Sequence, residues 1–236
     1  MTLFYSILFF FVFFWQHAPK EDSTLIVKKT IDFEIDGTGS AAEWEKASWV
    51  HLPFRHGPKS QLKTKVKTLY SEEGIYFLFE CQDERLTATY TEDFAKLYRE
   101  DVVEVFLWTD EQYPVYFEYE LSPLNYELPI LIFNLNGESS GWRPWNYEGE
   151  KRTRHATSVT GGEEESGSVV SGWTAEFFIP FALLSPSQNV PPERGTTWRA
   201  NMYRIDYDGK GFKSWQWQPT SGSFHEYKKF GTFTFE

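Results

Sequence analysis

From residue 23 onward, apolar and polar positions alternate along the chain in runs of four to ten, the pattern of half-buried strands. The clearest runs are 74–81 (GIYFLFEC), 101–108 (DVVEVFLW) and 115–121, centred on YFEYE. Further runs lie at 130–133, 173–179, 197–206 and 230–235. Val, Ile, Tyr, Phe, Trp and Thr fill them, and clusters of Gly, Pro, Asn and Asp divide them. Helical signals are short, at 41–47, 181–184 and 92–98, and none sustains an amphipathic stripe. Many short strands with turn signals between them predict an all-β antiparallel sandwich, jelly-roll or immunoglobulin-like, with short helical turns. The stretch 161–168, three glutamates bounded by glycines and serines, reads as an exposed hairpin loop.

Parity within a strand divides its side chains between faces. In 101–108, Val103, Val105 and Leu107 share one face and form a candidate inter-sheet core. Val102, Glu104, Phe106 and Trp108 share the other, where a ligand could meet Glu104 among aromatics. The competing reading pairs Glu104 with an arginine on a neighbouring strand.

The first residues behave differently. Positions 3–15 (LFYSILFFFVFFW) carry no charge and are too few to span a bilayer, which takes about 20 residues. Their length suits the apolar region of an export signal, although no basic residue precedes it and no clean small-residue cleavage site follows. Residues 1–22 are accordingly read as a signal peptide or short hydrophobic anchor, and 23–236 as one domain. The expected location is exported: periplasmic, cell-surface or extracellular. Membrane contact is expected only through an uncleaved N-terminal segment.

Charge and composition narrow the partners. The net charge of −11 leaves no basic stripe for phosphate, so nucleic acid is excluded and anionic membranes are disfavoured. Aromatics reach 19% of the chain; their fitness for strands explains most of them, and Tyr and Trp also join a flat apolar face to a polar handle, which suits a sugar-stacking platform. The single cysteine, Cys81, rules out an internal disulfide and sits in an alternating run as a buried thiol.

Several motifs could carry chemistry. Gly137–Gly141 matches G-x-S-x-G, but Pro144 opposes the helix that a nucleophile elbow needs. His51 and His56 flank Pro53 without a metal-binding spacing. A glycoside hydrolase would need two carboxylates facing across one cleft; Asp101, Glu104, Glu118, Glu120 and Glu176 are available, as chance allows among 34 acids. A heme would need axial ligands, for which Met202, His155 and His225 offer no telling spacing. Exposed aromatics could instead serve adhesion to a protein. The aromatic groupings are more pointed. Trp142, Trp145 and Tyr147 cluster in what reads as a loop, and Phe224-His225 follow a Thr-Ser-Gly-Ser turn. Trp215 and Trp217 alternate, as core residues or as a stacking platform. Arg204, Asn201 and His225 could hydrogen-bond hydroxyls.

The order of several motifs resembles family 9 carbohydrate-binding modules. Ile35-Asp36-Gly37 followed by Glu43-Trp44-Glu45-Lys46-Ala47 is similar to the family's opening, and Glu100–Leu107 to its D-x-V-E-v-F motif. Gly172-Trp173-Thr174-Ala175-Glu176 with Ile179-Pro180-Phe181, then Trp217-Gln218-Pro219, Phe224-His225 and Phe230-Gly231, continue the series. The resemblance runs from about residue 31 to 236 and implies a sandwich that binds saccharides without hydrolysing them, in support of polysaccharide catabolism. It implies that Tyr98 and Phe224 stand where the founding members clamp a sugar between two tryptophans, and that Glu104 is the acid beside the ligand. Trp142, Trp145, Arg204 and His225 complete the expected binding set. No catalytic residue, resident metal ligand or cofactor is expected beyond structural calcium, which the family can carry; Asp36 and Asp83 are the candidate acids.

Overall fold

The computed structural model describes residues 23–135, 138–145, 148–209 and 211–236. The N-terminal segment 1–22, Tyr147 and Gly137 of the G-x-S-x-G match lie outside the described residues. The strands are β1 (Thr24–Lys29), β2 (Val50–Leu52), β3 (Phe54–His56), β4 (Thr64–Tyr70), β5 (Gly74–Gln82), β6 (Val102–Trp108) and β7 (Val115–Leu121). They continue with β8 (Glu127–Leu135), β9 (Glu138–Pro144), β10 (Arg154–Thr160), β11 (Gly172–Pro180), β12 (Thr197–Tyr207), β13 (Phe212–Gln216) and β14 (Gly231–Phe235). One α-helical turn, α1 (Phe181–Leu184), and four 3-10 turns complete the chain. No helix among the described residues is long and apolar enough to cross a membrane.

Pairing runs β10-β11-β5-β4-β1-β14-β12-β6-β7-β8-β9, with β2 added to β4, β13 to β12 and β3 to β13. β1 changes partner part-way. Thr24–Val27 pair in parallel with β14, and Lys28 and Lys29 pair in parallel with β4. Every other named pairing is antiparallel. The path thereby folds into two facing sheets. Phe77 and Phe79 of β5 and Phe177 of β11 share one buried cluster with Val103, Val105 and Leu107 of β6 and Phe117 and Tyr119 of β7. Tyr119 and Phe177 touch across the layers with ring centroids 4.7 Å apart. This is a β-sandwich, and the parity of β6 places its core face where alternation predicts.

Both outer faces are covered as well. Trp44, Leu69, Tyr76, Leu78 and Phe178 form a cluster on the outside of β4, β5 and β11, packed against Phe33, Ile35 and Trp49. Glu176 of β11 holds that cover down: it accepts the amide N–H groups of Asp36 (3.1 Å), Gly37 (2.9 Å) and Gly39 (3.3 Å) and the indole N–H of Trp44 (2.8 Å). Gly37 must be glycine, because its φ is +81° and a Cβ would sit 2.8 Å from the Thr157 backbone. On the other sheet, Val102, Phe106, Trp108, Tyr116, Leu128, Ile130, Ile132, Tyr203 and Ile205 form an outer cluster.

Three sequence expectations change. The 92–98 helix is absent; only Leu97–Arg99 makes a 3-10 turn, because Phe94 has φ +64° and would break a helix there. Trp142 is in β9 rather than in a loop, and Ser139 of the G-x-S-x-G match lies in the same strand with no helix after it. Trp215 and Trp217 are buried in the inter-sheet core. The acidic stretch 161–168 is the exposed connection between β10 and β11.

Candidate functional site

The outer face of β12, β6, β7 and β8 has polar groups in the middle of its apolar cluster. Alternation along β7 turns Tyr116, Glu118 and Glu120 outward together. Alternation along β6 turns Glu104 and Phe106 to the same side. Register then sets Glu104 directly opposite Glu120 on one flank and Tyr203 on the other, and Glu118 opposite Phe106. A cavity of about 410 Å³ opens over this floor. Ile130 and Ile132 of β8 and Trp142 of β9 line one side of it; Tyr98 and the segment from Gly222 to His225 also line it.

Each wall is fixed by a local device. Tyr98 sits in the 3-10 turn Leu97–Arg99 that feeds straight into β6. The Gly222–His225 segment is gathered by Glu226, which accepts the amide N–H groups of Ser221 (3.1 Å), Gly222 (2.8 Å) and Ser223 (3.4 Å). An ion pair with Lys229 and these amides hold the Glu226 carboxyl down at about 2. Phe224 lies flat on Tyr203, centroids 4.2 Å apart and planes at 7°, and its carbonyl accepts the Tyr203 hydroxyl at 2.9 Å. One face of Phe224 is therefore taken, and a ligand ring would meet the other. His225 stacks on Phe106 at 5.4 Å, its Nδ1 is 2.7 Å from the Tyr116 hydroxyl, and its carbonyl accepts the Asn134 amide at 2.7 Å. Burial pushes the His225 imidazole down to about 4, so it is neutral near pH 7.

The floor carries the unusual chemistry. Glu104, Glu118 and Glu120 are all buried, at 2%, 4% and 0% exposure. Both oxygens of Glu120 and Oε2 of Glu118 have no hydrogen-bond partner. Burial pushes all three carboxyls up, Glu118 to about 8, and mutual repulsion adds to the rise of Glu104 and Glu120. Among the described residues, no lysine or arginine lines the cavity. Stability should follow. Between the ordinary carboxyl value of 4.5 and about 8, folded Glu118 keeps a proton that the unfolded chain releases, so its contribution is full at low pH and is lost as pH rises. His225 works in the opposite sense, between about 4 and 6.5. Above pH 6.5 the carboxyls dominate, and Tm is expected to fall from there to pH 8 as the unfolding free energy drops by on the order of 1 kcal/mol per pH unit for each retained proton. Thermal scans of Glu118→Gln should show a shallower decline; an unchanged slope would refute the assignment.

Five of the seven residues singled out in the sequence line this cavity: Tyr98, Glu104, Trp142, Phe224 and His225. Arg204 does not. Its neighbours Tyr203 and Ile205 face outward, so Arg204 points inward, fully buried, with Nη2 2.9 Å from Asp83 Oδ2 and its guanidinium 4.7 Å from the Trp215 ring. Trp145 does not either; it packs against the inter-sheet core and its indole N–H donates to the Leu183 carbonyl at 2.7 Å. The arginine partner considered for Glu104 is likewise absent from the cavity lining. Asn201 is buried beneath, donating to the Tyr203 hydroxyl at 2.6 Å. Glu118 and Glu120 stood in the sequence only as acids available by chance. Their signal was the alternation in YFEYE, which needs the β6–β7 pairing to become a site.

The heme ligands do not converge. Met202 is in the inter-sheet core, and His155 bonds Asn125 from β10. Nor do the two candidate calcium acids fit the ion. Both Asp36 oxygens already accept from Thr38 and Ser40, which hold its carboxyl far below the usual range. Asp83 accepts two backbone amides on Oδ1 and faces Arg204 on Oδ2, so a guanidinium stands where a cation would.

A family model described as carbohydrate family 9 binding domain-like matches residues 35–236. Among solved structures, the chain is similar to a proposed carbohydrate-binding protein from Bacteroides uniformis, with 18% identity, a TM-score of 0.73, and 90% of this chain and 99% of that one covered. It is also similar to a family 9 carbohydrate-binding module from Caldicellulosiruptor kristjanssonii, solved with cellotriose and with glucose. Identity is 15% and the TM-score 0.63 in each case, covering 90% of this chain and 93% and 95% of those. At such identities the likeness is one of fold. No curated protein matches the chain.

Proposed function

The chain belongs to the carbohydrate family 9 binding domain-like family, and from that premise we propose that it binds a saccharide in the cavity over β6 and β7 without cleaving it. The observation that carries this is convergence. Tyr98, Glu104, Trp142, Phe224 and His225 come from four separate stretches of chain and line one cavity of about 410 Å³. Aromatic walls offer apolar faces to the C–H bonds of a sugar ring, while Glu104, Glu118 and Glu120 offer acceptors to its hydroxyls. The relatives solved with cellotriose and glucose support the class of ligand.

The carboxyls argue for holding rather than hydrolysis. A glycosidase places an acid and a base or nucleophile on either side of the scissile bond, with environments that push their pKa values apart. Here all three sit at neighbouring register positions on one floor, and all are pushed in the same direction. We further propose that the chain is exported, on the strength of the uncharged apolar run 3–15, and that it serves polysaccharide breakdown by retaining polymer near the enzymes that cut it.

Affinity should be modest, with Kd on the order of 10 μM to 1 mM, because a small cleft must offset the cost of immobilising a hydrated sugar. A glycan array probed with the full chain tests the reading. Tyr98→Ala with Phe224→Ala is expected to weaken binding by about 10-fold or more, each ring contributing roughly 0.5–1.5 kcal/mol beyond its area. Binding that survives the double substitution unchanged would remove these two rings from the site. Release of reducing sugar by the wild type would refute the non-catalytic assignment.

A further inference from the structure

Three acids are more than a neutral sugar needs. One carboxylate suffices to accept two neighbouring hydroxyls. Here Glu104, Glu118 and Glu120 crowd a buried floor, and apart from the protons that the carboxyls themselves retain, three of their oxygens have no close donor. Such acceptors are costly to bury unmatched. What they lack is positive charge with several N–H groups attached, and no lining residue among those described supplies it. Tyr98 and Trp142 line the same cavity, and the negative quadrupoles of aromatic faces also favour a cation. The net charge of −11 attracts the same kind of ligand from a distance.

We propose that the preferred ligand is an amino sugar with a free, protonated amine, its ammonium group seated on the floor formed by Glu104, Glu118 and Glu120. This rests on the saccharide reading above and narrows it to a cationic class. An ammonium brings three donors and one charge to a place with unfilled acceptors and none of that charge. Acetylating the amine removes the charge and should remove the preference. Binding should also draw protons off the floor, because a neighbouring cation favours the ionised carboxylates.

Calorimetry of the full chain at pH 7 with glucosamine, N-acetylglucosamine and glucose tests this. Glucosamine is expected to bind at least 10-fold more tightly than the other two. It should release protons, read as a dependence of the heat on buffer ionisation, where glucose should not. Glu120→Gln should bring the glucosamine-to-glucose ratio down toward one, with Glu118→Gln as a second variant if the first fails to fold. Equal binding of glucose and glucosamine by the wild type would overturn the cationic class and leave saccharide binding standing. A glucosamine preference unmoved in both folded variants would overturn the seat on these carboxyls. If no saccharide binds, here or on the array, the saccharide reading itself fails and this inference with it.

Discussion

Replacing Arg204 with methionine is expected to cost the fold on the order of 3–5 kcal/mol. Its guanidinium is fully buried between the sheets, with Nη1 donating to the Gln82 carbonyl at 2.5 Å and Nη2 standing 2.9 Å from Asp83 and 3.6 Å from Asp206. Asp83, Asp101 and Asp206 bring ligand oxygens within 4.8 Å of one another, so removing the arginine leaves three buried acids with, among the described residues, Lys213 as the cation beside them, 3.4 Å from Asp206. Methionine keeps much of the volume and the contact with Trp215 while deleting the charge, which isolates the electrostatic loss. Denaturant titration should show the midpoint falling with m unchanged. Adding Asp83→Asn should recover part of the loss, since it removes one orphaned carboxylate. A loss below about 1 kcal/mol would place Arg204 among exposed pairs in its energetics and contradict the burial.

Glu176→Ala is the second large effect, expected at roughly 3–5 kcal/mol, with hydrogen bonds to a charged group worth about 1.5–3 kcal/mol each before relaxation. Four N–H donors, three from the loop around Gly37 and one from Trp44, lose their common acceptor. The damage should be local first. The cover formed by Phe33, Ile35 and Trp44 loosens from β5 and β11, and hydrogen exchange should accelerate at Asp36, Gly37 and Gly39 before it does in β6. Glu176→Gln keeps one acceptor oxygen and should cost about half as much. The cavity proposed for saccharide lies on the other sheet, so the folded fraction of either variant should retain any affinity measured for the wild type. A uniform rise in exchange across both sheets would show that the two covers unfold as one unit.

How far the sequence could be read follows from what alternation does and does not contain. The run 101–108 announced both its faces, and Val103, Val105 and Leu107 lie in the inter-sheet core. The same rule applied to 197–206 would have removed Arg204 from the site: Tyr203 and Ile205 face outward, so Arg204 must face inward. What parity omits is pairing. Glu118 and Glu120 became part of the floor because register sets Glu120 against Glu104, a relation between strands that no single run contains. The strands β1, β2, β3, β4, β9, β10 and β13 lie outside the runs that alternation marked, and for β10 the reason is exposure. β10 (RHATSVT) pairs with β11 alone and is only half-buried, so selection for apolar alternation is weak there. Tyr98 and Phe224 were found through motif order, since each lies in irregular chain where no periodicity speaks.

The change of partner along β1 carries a mechanical consequence. Thr24–Val27 and Thr232–Phe235 run side by side in parallel, joined through four registered positions. Tension applied at residue 23 and at residue 236 pulls these two strands in opposite directions along their own axes. The hydrogen bonds between them are then loaded together, in shear, instead of opening one after another from an end. Forced unfolding is governed by the rate of crossing that first barrier. A domain held at residue 23 and pulled at residue 236 would resist first through this short parallel pair, before the antiparallel strands on either side of it part.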